Sequence, residues 1–194
     1  MTSPTSLPVR YHAADGSPRL SVTQALSFAR QIDTTWFTPE AAERGQLVHT
    51  MTERYDRGES LVMPDDLRGY IEAYATFLGV VRPEYEATEI EVQSDVLCLN
   101  GRLDRLCRRL FGERAILDFK TGPPYPWHGL QLAAYNMLRG EFVPRWTVHL
   151  RSDGSYRMKE HTDVADYRRF EYALAESQGR IYSDGSYWLE LPSA

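Results

Sequence analysis

Apolar and polar positions along the chain change from a helical period to a strand-like period and back. Three stretches in the first half repeat apolar side chains every three or four residues, whereas the middle of the chain alternates apolar and polar positions. In order, we predict helices over 21–31, 38–58 and 65–79, strands over 85–93, 96–110 and 114–120, a helix over 128–140, a hairpin over 144–161 and a helix over 163–185. This order predicts an α+β (mixed α/β) domain with one central sheet flanked by helices.

The predicted helix starts carry residues that commonly cap helices. Ser21 is a candidate cap of the first helix, and Thr38 followed by Pro39 is typical of the start of the second. We expect Asp65 or Asp66 to open the third helix, because aspartate is a favoured residue at that position.

Residues 96–110 carry both cysteines and a turn dipeptide. Asn100-Gly101 is typical of a bulge or a tight turn. Cys98 and Cys107 are too few for a disulfide framework or for an iron–sulfur cluster held by four cysteines, and we expect both to lie reduced in strands.

Length and composition are those of one globular domain. The chain has 194 residues, of which 42% are apolar and 25% charged. We expect a flexible, Pro/Ser-rich N-terminal arm over residues 1–20 and a single domain over 21–194. No stretch has the apolar length of a membrane span and the N-terminus lacks the layout of a signal peptide, which favours the cytoplasm and argues against a membrane partner.

The charge balance excludes a protein that coats nucleic acid through bulk charge, because the net charge is −5 and the pI about 5.6. A local basic cleft stays open, since cations cluster between positions 102 and 120. They are Arg102, Arg105, Arg108, Arg109, Arg114 and Lys120. The alternative is a solvated hairpin whose arginine stems pack on the sheet.

Asp118 and Lys120 lie two positions apart in a predicted strand and therefore point to the same face of the sheet. One interpretation is a salt bridge at the strand end; the other is a metal-binding carboxylate beside a catalytic ammonium. Asp104 lies in the preceding predicted strand. Paired strands are about 4.8 Å apart, so the carboxylates of Asp104 and Asp118 can share a cation that removes their repulsion.

Two predicted helices add polar groups that could meet these acids. His49 and Glu53 share one helix face, and Gln131 and Tyr135 share another, because each pair is four residues apart. Oxygen ligands suit Mg²⁺ or Mn²⁺, and an imidazole shifts the preference toward Mn²⁺. Phosphodiester hydrolysis fits this set: the metal acidifies a water and neutralises phosphate charge, and Lys120 positions or deprotonates that water or stabilises the transition state.

Four motifs resemble those of the RecB-like branch of the PD-(D/E)XK nuclease superfamily. GQLVHTMTE (45–53) is similar to its helical histidine motif, and GRLDRL (101–106) to its Gly-x-x-Asp-Arg strand. ILDFKTG (116–122) is similar to its Asp-x-Lys-Thr-Gly motif, and QLAAY (131–135) to its Gln-x-x-x-Tyr helix. The motifs occur in the order of that branch, although Leu103 stands where the superfamily's name has proline.

The resemblance implies a restriction-endonuclease-like core with the order αβββαβ and a metal-dependent DNA nuclease, an exonuclease by its branch. It implies metal ligation by His49, Asp104, Asp118 and the backbone carbonyl of Phe119. It assigns Lys120 as the catalytic lysine, acting with Asp104 and Asp118.

The resemblance also implies supporting roles for residues around the metal. Glu53 matches the trailing acid of the histidine motif and is a further catalytic candidate. Gln131, Tyr135, Arg102 and Arg105 are candidates for supporting the site or contacting nucleic acid.

The small stand-alone layout resembles nucleases encoded by phages and prophages. That likeness implies DNA as the substrate and a recombination or single-strand-annealing protein as a possible partner. CRISPR-associated and helicase-linked relatives often carry an iron–sulfur cluster, which the two cysteines of this chain exclude.

Two other functions fit the same residues. The first is a nuclease-like fold that binds nucleic acid or a protein without cutting. The second is an RNA-directed endonuclease, because the motifs do not distinguish DNA from RNA. In any of these, Lys120 can pair with a carboxylate when no metal is bound.

Overall fold

The computed structural model describes residues 7–8, 11–12, 18–32, 38–183 and 189–190. The helices are α1 (Val22–Phe28), α2 (Pro39–Asp56), α3 (Arg68–Val81), α4 (Trp127–Arg139) and α5 (Ala165–Ser183). The strands are β1 (Leu7–Pro8), β2 (Tyr11–His12), β3 (Pro18–Ser21), β4 (Glu84–Ser94), β5 (Leu99–Leu110), β6 (Glu113–Lys120), β7 (Arg145–Leu150), β8 (Tyr156–Glu160) and β9 (Leu189–Glu190). No described helix is long and apolar enough to cross a membrane.

One mixed sheet organises the fold. Its strand order is β2-β3-β5-β6-β7-β8, with β4 paired to β5, while β1 and β9 form a separate parallel pair. Strands β4, β5 and β6 are antiparallel neighbours, and β7 lies parallel to β6 after the crossover through α4. The order α2-α3, β4-β5-β6, α4, β7 contains the predicted αβββαβ core.

Local capping signals explain where the first two helices start. The Ser21 hydroxyl accepts a hydrogen bond from the Gln24 N–H, and the Thr38 hydroxyl accepts one from the Ala41 N–H. The predicted start of α3 at Asp65 or Asp66 is wrong. Leu67 occupies the capping position, where its buried side chain has no group that could accept a hydrogen bond from the helix start.

The bulge or tight turn expected at Asn100-Gly101 is also wrong, since both residues lie inside β5 and pair in regular register with Gln93 and Val92 of β4. The chain turns over residues 95–98 instead, where Cys98 has a positive φ of 48°. Cys98 is therefore exposed in a turn, and only Cys107 lies buried in a strand as expected.

Two hydrophobic clusters cover the two faces of the sheet. Helices α1, α4 and α5 pack on the face that carries Ile116, whereas α2 and α3 pack on the face that carries Leu117 and Phe119. Phe119 makes edge-to-face contacts with Tyr74 and Phe77 of α3, at ring centroid distances of 5.1 and 5.7 Å. This packing fixes β6 in place, so its alternate residues 118 and 120 point toward α4.

Part of the predicted N-terminal arm lies in the described structure. Pro18–Ser21 pairs in parallel with the start of β5, and Leu20 is buried. Residues 1–6, 9–10 and 13–17 of that arm, and residues 184–185 of the predicted last helix, lie outside the described residues. The division into arm and domain stays a prediction.

Candidate active site

The two predicted aspartates lie on adjacent strands at one end of the sheet. Arg105 pairs with Leu117 in the register of β5 and β6, so the next pair along that register is Asp104 and Asp118. Both carboxylates are buried, with 6% and 2% of their residue surface exposed. Side chains directly opposite on antiparallel strands are about 5 Å apart at Cβ, which is close enough to share a cation.

Helix α2 brings His49 to this pair of strands. Its Nδ1 lies 3.3 Å from Oδ2 of Asp104, and its side chain is 29% exposed. Burial lowers the pKa of His49, so the imidazole is neutral at pH 7, the form in which histidine binds metals.

Asp104 carries the clearest electrostatic signature of the site. Its Oδ2 accepts a hydrogen bond of 2.7 Å from the Phe119 N–H. Burial, together with the nearby charge of Asp118, raises the pKa of Asp104 to about 7. A carboxylate that is difficult to ionise beside a second carboxylate is the arrangement that a divalent cation relieves.

Glu89 completes a group that the sequence did not reveal. Ligand atoms of His49, Glu89 and Asp104 all lie within 4.8 Å of one another. Thr88 and Ile90 pair with Arg105 and Leu103, so Glu89 stands opposite Asp104, and it has a positive φ of 51°. Burial and the charge of Asp104 raise the pKa of Glu89. A divalent cation would stabilise the ionised form of both carboxylates, and the neutral imidazole could bind it as well.

One feature of the sequence could have revealed Glu89: the alternation of acidic residues along β4 changes phase. The acids of this strand stand at positions 84 and 86 and then at 89 and 91, so the alternation shifts by one residue. The structure has register irregularities between Glu84 and Ala87. Such a shift marks a bulge, and bulges often re-aim side chains beside active sites.

Asp118 is directed at Lys120 and not at the group of three donors. Its Oδ2 lies 2.5 Å from Lys120 Nζ. That oxygen is buried and, among the described residues, receives no hydrogen bond of normal geometry. The strand-end salt bridge foreseen as one interpretation therefore exists here.

Gln131 and Tyr135 of α4 hold Lys120 in place through a chain of hydrogen bonds. Its ammonium donates to Oε1 of Gln131 at 2.9 Å, and Nε2 of Gln131 donates to the Tyr135 hydroxyl at 2.9 Å. Gly101 makes room for this arrangement, because a Cβ there would lie 2.7 Å from the Tyr135 ring. Tyr135 is 3% exposed, so it positions the site and does not touch a substrate.

Arg105 cannot contact nucleic acid, because it is completely buried. As the neighbour of Asp104 on a strand, it points to the opposite face of the sheet. Its guanidinium donates to Asp56, Glu89, Thr52 and the carbonyl of Asp104, over distances of 2.9, 3.0, 3.2 and 2.8 Å respectively. It therefore fixes Glu89 and the β5 backbone from beneath.

We expect Arg105→Ala to lower the free energy of unfolding by about 3–5 kcal/mol, since it leaves the half-buried acids Asp56 and Glu89 without their buried partner. The matched control is Arg102→Ala. Arg102 also pairs with Glu89, at 2.8 Å, but its side chain is 55% exposed, and the expected loss is below about 1 kcal/mol. Denaturant unfolding of the two variants measures the difference; similar small losses in both would contradict this role.

Glu53 and Arg102 lie at the edge of the site. The carboxylate of Glu53 pairs with Arg57 at 3.2 Å and is not in the group of three donors. Other arginines of the predicted basic cluster are neutralised on the surface: Arg108 and Arg109 pair with Glu84, and Arg114 with Glu86 and Glu141. These surface ion pairs fit the solvated hairpin better than the basic cleft, although the predicted hairpin, with arginine stems packed on the sheet, did not include ion pairs.

A cleft of about 520 Å³ opens onto the site. One wall is the start of α2, and the opposite wall is the segment from Thr121 to His128. His49, Lys120 and Gln131 line it, together with Tyr125 and Trp127. His49 and Lys120 are therefore accessible from solvent through this cleft.

No protein-family model and no curated protein matches the sequence. Solved structures do match. A candidate exonuclease from Eubacterium rectale superposes with a TM-score of 0.51 at 12% identity, over 91% of this chain and 91% of that chain. This likeness, at 12% identity, shows that the two chains share a fold.

Two further superpositions have lower scores. The alkaline exonuclease LHK-Exo from Laribacter hongkongensis has a TM-score of 0.49 at 12% identity, over 86% of this chain and 89% of that chain. The same exonuclease in complex with dAMP has a TM-score of 0.47 at 13% identity, with the same coverage. The predicted α+β nuclease-like fold class is confirmed.

Proposed function

We propose that this chain is a metal-dependent nuclease that hydrolyses phosphodiester bonds in DNA, with Mg²⁺ or Mn²⁺ as its cofactor. The observation that carries the proposal is the convergence of His49, Glu89 and Asp104, opposite Asp118 and next to Lys120. Buried acids with raised pKa values and an oxygen-rich donor set fit a hard divalent cation.

Each residue has a role that follows from its position. His49, Glu89 and Asp104 would hold the cation, with Asp118 as a further candidate ligand; the Phe119 carbonyl stays a predicted ligand. The cation would neutralise phosphate charge and acidify a water. The ammonium of Lys120, released from Asp118, donates hydrogen bonds to the scissile phosphate or to the attacking water.

Gln131 keeps Lys120 at the site during this exchange. It accepts a hydrogen bond from the ammonium and is itself fixed by Tyr135. Because Gln131 anchors the ammonium, its charge stays near the phosphate without a change in the backbone. This keeps the site preorganised, as catalysis requires.

Cleavage from a DNA end is the finer part of this proposal. The description of the Eubacterium rectale neighbour as an exonuclease supports it, and so does the resemblance of the four motifs to the RecB-like branch. The likeness of the layout to phage and prophage nucleases supports a role in DNA processing, with a recombination or single-strand-annealing protein as partner.

The test is a panel of labelled substrates: linear duplex DNA, single-stranded DNA, closed circular DNA and RNA, each with Mg²⁺, Mn²⁺ or EDTA. We expect release of short products from linear DNA only, and none in EDTA. Nicked circles would assign an endonuclease, and cleavage of RNA alone would assign the RNA-directed alternative. Binding without products under any metal would replace the proposal by a binding module.

We expect Glu89→Gln to weaken Mn²⁺ binding by about tenfold or more, because the cation loses a charged oxygen ligand. Glu53→Gln is the matched control, since the Glu53 carboxylate pairs with Arg57 outside the group of donors. Isothermal titration of both variants with Mn²⁺ measures the effect. If Glu53→Gln weakens binding as much as Glu89→Gln, the ligand set proposed here is wrong.

A further inference from the structure

Two cations on the edge strand β8 lie in register with the catalytic residues. In the pairing of β6 with β7 and of β7 with β8, Lys120 is opposite His149, which is opposite Arg157. The neighbouring row runs from Asp118 through Thr147 to Lys159. Alternation along each strand places all six residues on one face of the sheet.

The spacing of these rows suits a nucleic-acid strand. Two strand spacings separate β6 from β8, so Arg157 is roughly 10 Å from Lys120 at the backbone. Successive phosphates of a nucleic-acid strand are closer together than this distance, so a strand bound at Lys120 can place a further phosphate near Arg157. A strand whose scissile phosphate lies at Lys120 therefore extends to Arg157 if it crosses β7.

Arg157 and Lys159 are exposed and form no ion pair with another described residue. This sets them apart from the arginines of β5, which are neutralised by acids of β4. The acids nearest in sequence do not compensate. Asp153 is held by the N–H and hydroxyl of Ser155, and Glu160 alternates to the other face of β8.

A second depression, of about 520 Å³, lies beside the catalytic cleft at this cationic edge. It is lined by Arg151, Arg157 and Lys159, and it shares Thr121, Gly122 and Pro123 with the cleft. His149 fixes the shared segment, because its Nδ1 lies 2.8 Å from the Gly122 carbonyl oxygen. The two depressions are thus adjacent and separated by a segment of backbone that a side chain of the sheet holds in place.

We propose that the phosphate backbone of the substrate strand extends from Lys120 across β7, and that Arg157 and Lys159 bind its phosphates beyond the scissile position. This inference rests on the proposed nuclease function and adds a binding surface to it. Contacts of this kind are independent of base sequence, as a nuclease that degrades DNA of any sequence requires.

The test is the salt dependence of binding to a labelled single-stranded oligonucleotide in EDTA, where no cleavage occurs. The binding constant falls as salt rises, and each phosphate contact to a single strand adds about 0.7 to the steepness of log K against log salt. The Arg157→Ala/Lys159→Ala variant should therefore have a plot less steep by about 1.4. Arg108→Ala/Arg109→Ala is the matched control, because it removes the same charge from exposed residues at the far end of β5. We expect no change of slope in the control.

An equal slope for both double variants, or no binding of the oligonucleotide by the natural chain, would overturn the proposed surface. A second measurement separates this outcome from failure of the proposed function. The Arg157→Ala/Lys159→Ala variant should cleave a dinucleotide at the natural rate but a long oligonucleotide with a reduced kcat/KM. If the natural chain cleaves neither substrate with any metal, the nuclease function is wrong whatever the salt slope shows.

Discussion

Replacing Lys120 by alanine should lower the rate of DNA cleavage by about 10²–10³-fold or to background, without unfolding the protein. Lys120 carries the only described ammonium beside Asp118, and loss of one group aimed at transition-state charge typically costs that much. Its side chain lies at the end of β6 and is 17% exposed, so truncation leaves no large cavity in the core.

The same variant should keep or increase its affinity for Mn²⁺. Asp118 then no longer pairs with an ammonium, and its buried carboxylate is available as a ligand. Product release from end-labelled DNA, thermal unfolding and calorimetric titration with Mn²⁺ measure the three properties. Cleavage within about tenfold of the natural rate would contradict the role of Lys120, since a transition-state contact costs more than that.

Lys120→Arg is the conservative control, and we expect it to remain inactive. The Gln131 amide oxygen accepts from a compact ammonium at 2.9 Å, and a planar guanidinium cannot take the same place between Gln131 and Asp118. Recovery of cleavage by arginine would show that positive charge alone is sufficient at this position.

Replacing Asp104 by asparagine should abolish metal binding and cleavage, yet stabilise the metal-free protein at high pH. The pKa of Asp104 is raised from 3.8 to about 7, so the folded state holds a proton there that the unfolded state has lost. This stabilising contribution is complete below about pH 4 and is lost as the pH rises through 7. The asparagine side chain does not titrate, so only the natural chain loses this contribution.

Between pH 4 and pH 8, the natural chain should therefore lose about 2–4 kcal/mol of unfolding free energy relative to Asp104→Asn. Urea unfolding in EDTA at several pH values measures it. Saturating Mn²⁺ should reverse the order, because only the natural chain gains the free energy of binding. A difference independent of pH would contradict the burial of an ionisable Asp104 beside Asp118.

Most of the fold was predictable because its signals are local. The cap at Thr38 and the glycine at Gly140 mark the limits of α2 and α4, and neither depends on distant contacts. The phase of apolar residues in β6 likewise placed Asp118 and Lys120 on one face. Predictions from local signals were wrong where contacts between distant residues determine the structure. Gly101 is a glycine because Tyr135 packs against it, and not because the chain turns there.

The candidate site was predictable only in part, because its geometry depends on the pairing of strands. The positions of His49, Asp104 and Lys120 followed from motifs, whereas Glu89 faces Asp104 only through the register of β4 and a positive φ. Arg105 follows Asp104 in the same strand, so alternation alone places its side chain on the opposite face of the sheet. This alternation would have excluded Arg105 as a nucleic-acid contact at the site.

The most direct test of this account is a crystal of the protein grown with Mn²⁺, measured at a wavelength where manganese scatters anomalously. The account predicts one peak bound by Asp104, His49 and Glu89, with Asp118 turned from Lys120 toward the cation. No peak at this position, with Asp118 still paired to Lys120 at a saturating Mn²⁺ concentration, would contradict it.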